Sequence, residues 1–186
     1  MKARLGLAAT LFLVISAIGV GTATAHTSKT AFEWHVGDAL LQSLGFPVGN
    51  QAMAPNGDVV TIVGNGSFST DGKWATGGGT FSHHMTATDT TITGTFTADR
   101  VLSFQSYGCG SEGLPANFCG GQLKLAITAT PDGAPDVHLA AALTVTCEVG
   151  PNVPASATEG VRVNVYDVIN FNKQVPESGA NIYIQD

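Results

Sequence analysis

The sequence predicts an all-β protein: a single antiparallel β-sandwich or closed β-barrel of about nine strands, with at most one short helix. Three observations carry this. Apolar and polar residues alternate with period two through most of the chain from about residue 58 onward. Hairpin dipeptides, Asn56-Gly57, Asp71-Gly72 and Asp132-Gly133, separate the alternating runs. Charged residues are scarce at 12% while glycine is abundant at 23 residues, a balance that suits tight turns rather than disorder.

The elements follow in chain order. Residues 1–25 read as a secretory signal: Lys2 and Arg4, then an apolar stretch from Leu5 to Val20, then a small-residue cleavage site at Ala23–Ala25. The apolar stretch falls short of the ~20 residues a membrane-spanning helix needs. Residues 26–186 are then expected to be one secreted all-β domain. Its first strand is AFEWHV (31–36), with Phe32, Trp34 and Val36 on one face. In GDALLQSLGF (37–46), Asp38 is placed to cap one or two turns of helix. TITGTFTA (91–98) puts four threonines on one face and Ile92, Gly94, Phe96 and Ala98 on the other. QLKLAIT (122–128) and VHLAAALTVTCEV (137–149) each carry one continuous apolar face. GVRVNVYDVINF (160–171) aligns Val161, Val163 and Val165 with Ile169 and Phe171, and NIYI (181–184) closes the chain. The glycine-rich ATGGGTF (75–81) lacks a following helix, so it predicts a bulge or a close strand approach rather than a phosphate loop.

Three cysteines remain after residue 25. Cys109 and Cys119 flank the loop CGSEGLPANFC and are the natural disulfide pair, closing a loop for roughly 3 kcal/mol in the chain-entropy model. Cys147 falls among valines and leucines and reads as a buried thiol.

Charge excludes some functions. Residues 26–186 hold six Lys and Arg against 14 Asp and Glu, a formal charge of −8, with no basic cluster. Binding to nucleic acid or to anionic lipid is not expected. Nucleophile-elbow, P-loop, zincin, dinucleotide and EF-hand motifs are absent from the sequence.

What remains is polar residues placed on apolar strand faces, because burying them needs a reason. His83 shares a face with Phe81 and Met85. Arg100 continues the face of Phe96 and Ala98, and Asp167 falls in line with Val163, Val165 and Ile169. Meeting in one cavity, these three would supply base, cation and acid for isomerase- or lyase-type proton transfer. As a ligand site, His83 and Arg100 would be joined by Trp74, the aromatic ring expected to be exposed for stacking on a sugar.

Cleavage after Ala25 would make His26 the first residue. An N-terminal amine and imidazole, joined by His83 or His35, suit Cu(II) in a tetragonal plane. That arrangement resembles the histidine brace of secreted lytic polysaccharide monooxygenases and related copper-binding proteins. The resemblance implies copper bound at His26 and oxidative chemistry. The expectation the residues support first is a secreted, non-catalytic β-domain without cofactor, binding a small molecule, a glycan or an extracellular protein. A copper protein using His26 and a β-barrel enzyme using His83, Arg100 and Asp167 are the alternatives.

Overall fold

The computed structural model describes residues 30–71 and 74–186. The predicted signal segment and His26 lie outside the described residues. Among the described residues the structure is all-β and antiparallel, with eleven strands in one sheet and one short helix. The strands are β1 (Ala31–Val36), β2 (Asn50–Met53), β3 (Val59–Ser69), β4 (Gly78–Met85), β5 (Thr90–Cys109), β6 (Phe118–Pro131), β7 (Leu139–Cys147), β8 (Gly160–Val165), β9 (Ile169–Phe171), β10 (Lys173–Gln174) and β11 (Asn181–Gln185).

The four long central strands β3–β4–β5–β6 form a continuous curved sheet. The outer edge of β3 is divided: residues 59–62 pair with β2 and 64–69 with β1. The edge of β6 is divided in the same way, between β11 at residues 118–119 and β7 at 121–129. β1 and β11 pair with each other and close a ring of six strands, β3–β1–β11–β6–β5–β4. The remaining strands, β2 with β10 and β7–β8–β9, extend from the opposite halves of β3 and β6. The result is a barrel at one end, while at the other the two edges splay without a ladder between them, β2 and β10 packing against β8 instead, rather than a regular sandwich or barrel.

The count of eleven exceeds the expected nine for a definite reason. GVRVNVYDVINF is a hairpin, with Val163 opposite Phe171 and Val165 opposite Ile169. Both members of each pair are odd-numbered, so the alternation runs through the turn in phase and hides it. Asp167 sits in that turn with φ of 59°. β2 and β10 are too short to show a period.

Strand alternation delivers the core as expected. Phe32, Trp34 and Val36 of β1 are buried, as are Leu123, Leu125 and Ile127 of β6 and Leu143, Val145 and Cys147 of β7. Phe68 lies between Phe32, Phe104 and Tyr183, with ring centres 5.4, 4.8 and 6.0 Å away. The helix α1 (Ala39–Ser43) is capped by Asp38, whose side chain accepts from the Leu41 N–H. The glycine-rich segment is a close strand approach: a Cβ on Gly79 would collide with the Val63 carbonyl, and one on Gly78 with that of Phe96. The Cys109–Cys119 disulfide is present, and Cys147 is a free, buried thiol whose pKa burial pushes well up.

A buried polar network joins β2 to β11, β7 and the start of β8. Asn50 and Asn181 are almost fully buried. Asn50 Nδ2 donates to Asn181 Oδ1 at 3.3 Å, and Asn181 Nδ2 donates to the Thr146 carbonyl and to Glu159 Oε1, both at 2.9 Å. Glu159 also accepts from the backbone N–H groups of Asn181 and Glu148. Burial nevertheless pushes the Glu159 carboxyl up to about 7, the three donors only partly offsetting it. Its folded-state value lies above the unfolded one. Its contribution to stability is therefore present below about pH 4.5 and lost as pH rises through about 7. The thermal midpoint should fall between about pH 5 and pH 8, and Glu159→Gln, which stays neutral, should flatten that fall in a calorimetric pH series.

Candidate functional site

The inner faces of β3, β4, β5, β6, β7, β8 and β9 enclose a cavity of about 270 Å³ at the splayed end. Its floor is made of buried side chains: Val60 and Ile62 from β3, Phe96 from β5, Ile127 from β6, Ala141 from β7, and Val163 with Phe171 from the β8–β9 hairpin. Its rim includes Met85, Ile92, Leu139 and Val168, with Ile92 38% and Val168 64% exposed. Apolar residues exposed around an apolar opening mark an entrance rather than a packed surface.

One polar side chain lines this cavity, His83. It arrives there by alternation on β4, paired with Val60 on one side and Ile92 on the other. Its ring meets Phe171 edge to face at 5.0 Å. Its Nε2 lies 3.1 Å from Oδ2 of Asp58, a carboxylate almost wholly withdrawn from solvent. Asp58 Oδ1 accepts from the Thr86 N–H at 3.0 Å, so the carboxylate also ties the β4–β5 turn to the start of β3. The His83 hydrogen bond, with those of Thr86 and Asn56, holds the Asp58 carboxyl below its ordinary range despite burial. In the tautomer that donates Nε2–H to the Asp58 carboxylate, Nδ1 is left as an acceptor.

Asp58 was not among the residues singled out from sequence. It lies one residue before β3, in phase with Val60 and Ile62 of that strand's apolar face, which is the same signal that marks His83. Its position in Asn56-Gly57-Asp58 reads instead as the end of a turn. Asp58→Ala should leave the Thr86 amide without its acceptor. Hydrogen exchange at that amide is expected to speed up about five- to thirtyfold, while amides in β6 keep their protection.

The other sequence candidates lie elsewhere. A β-bulge between Ala98 and Arg100 resets the face of β5, so Val101 turns inward and Arg100 outward into solvent. Asp167 is exposed at the tip of the β8–β9 turn. The constellation of His83, Arg100 and Asp167 is therefore not formed, and Asp58 stands where an acid partner was expected. Trp74 is 42% exposed in the β3–β4 connection and does not line the cavity. His35 does not approach His83. Its Nδ1 lies 2.7 Å from Asp38 Oδ2, on the helix cap. Among the described residues no three His, Cys, Asp or Glu side chains gather as a metal site, and His26 lies outside them.

The fold and the cavity together define a class: a small all-β protein with an apolar interior chamber and, at its wall, a half-buried histidine bonded to a buried carboxylate. No family model, curated protein or solved structure matches the chain.

Proposed function

We propose that this protein is an exported, non-catalytic carrier or sensor that takes a small apolar molecule into the chamber lined by β3 to β9. The observation that carries the reading is the cavity itself: about 270 Å³, walled by aliphatic and aromatic side chains, with one polar fixture. A close-packed domain of this size has no structural need for such a void, and its lining forgoes contacts on one side. An engineered apolar cavity of ~150 Å³ accepts benzene, so this one has room for a ligand of roughly ten to fifteen non-hydrogen atoms. His83 would orient that ligand by accepting a hydrogen bond at Nδ1, a role suited to a phenol, an aromatic amine or an alcohol. Export rests on the leader-like residues 1–25 and on the disulfide. No helix among the described residues is long and apolar enough to cross a membrane.

Titration with 1-aminonaphthalene, an apolar bicycle with one N–H donor, tests the reading. A saturable blue shift of its emission is expected, weakened several-fold in His83→Leu, which keeps the wall apolar and removes the acceptor. Equal affinity in both proteins would remove His83 from the site. Absence of saturable binding would remove the carrier function.

A further inference from the structure

We propose that the outside of the same wall carries a second site, which binds an acidic saccharide. β6, β7 and β8 turn one set of side chains into the chamber and the alternate set outward, where they line a groove of about 330 Å³ reaching across to Asn170 of β9. In the outward set, Lys124, Thr144 and Arg162 stand side by side in register across the three strands. The next row places Asn164 opposite Asn170, and Tyr166 closes one end of the groove with its ring 45% exposed.

Three features point to an anion bearing hydroxyl groups. First, residues 26–186 carry a formal charge of −8 from only six cations, yet two of those six line this groove and no Asp or Glu does. Second, neither cation has a carboxylate within ion-pair distance among the described residues, and Arg162 Nε is buried without a hydrogen-bond partner. Third, Lys124 and Arg162 flank Thr144 from strands ~9.6 Å apart, a span over which both side chains reach one carboxylate or sulfate lying above the threonine. The amides of Asn164 and Asn170 then face the hydroxyls of the same ring, and the Tyr166 ring offers a flat apolar surface to a neighbouring sugar. An acidic peptide would also satisfy the two cations, and triglutamate separates that ligand from a saccharide.

The site shares no side chain with the His83–Asp58 pair, so its test is independent of the chamber. Calorimetric titration of the folded protein should show saturable binding of trigalacturonate and none of maltotriose, a neutral α-1,4-linked trisaccharide. Binding should weaken about tenfold or more in Lys124→Gln and in Arg162→Gln. Lys124 is exposed, so its variant keeps the test valid if Arg162→Gln fails to fold. Failure of trigalacturonate to bind, equal binding of maltotriose, binding of triglutamate as tight as that of trigalacturonate, or unchanged affinity in Lys124→Gln would each overturn the proposal.

Discussion

Replacing Asn181 by Ala is expected to cost about 3–5 kcal/mol of folding stability. Asn181 is 4% exposed and makes three side-chain hydrogen bonds. Truncation leaves the Thr146 carbonyl and the Asn50 amide buried without partners. It also takes one of three donors from Glu159, which sits at the same junction. Each stranded group carries a desolvation penalty of about 1–3 kcal/mol, and the cavity left by the side chain adds to it. The effect should be cooperative with Glu159. In a double-mutant cycle with Glu159→Gln, the two losses should sum to more than the double variant shows. Chemical denaturation of the four proteins measures this. A loss below about 1 kcal/mol in Asn181→Ala would mean that β2 and β11 are held by their ladders alone.

Ala129→Phe should abolish ligand uptake while leaving the fold intact. Ala129 lies on β6 between Phe96 of β5 and Leu139 of β7, and its methyl group faces the chamber. A benzene ring needs ~150 Å³, so a phenyl group enters a 270 Å³ space without displacing the walls. Filling such a void typically adds about 0.5–2 kcal/mol of stability. The thermal midpoint should therefore hold or rise as binding falls by more than about tenfold. Trp74→Ala is the matching control. Trp74 stands away from the chamber, so its loss should leave affinity unchanged.

Period-two patterning is enough to read the class of fold and the first strand, the Asp38 cap the helix, and the two flanking cysteines the disulfide, because each depends on neighbours close in sequence. The chamber was less legible. Whether His83 lines a cavity or packs against a lid depends on how β3 and β6 divide their edges, which alternation does not encode. Arg100 illustrates the opposite failure. Its residues keep a regular pattern on paper, but one extra residue at the bulge turns the side chain outward. Asp167 kept its phase with Ile169 across a turn that the odd-numbered pairing concealed. Asp58 was legible by the very rule that selected His83, and the turn dipeptide before it masked the signal. The polar closure at Asn50, Asn181 and Glu159 gave no local sign, since its partners come from four separate stretches of chain.

A binding site in the interior chamber and mere loose packing there would respond differently to a ligand. The most direct measurement is a methyl-resolved NMR titration of the protein and of Ala129→Phe with 1-aminonaphthalene. One saturable site is expected, with a dissociation constant of about 1–100 µM. Its shifts should be confined to methyl groups of Val60, Ile62, Ile127, Leu139, Val163 and Val165, and they should vanish in the variant. Shifts scattered over the surface, or a response unchanged in Ala129→Phe, would contradict it.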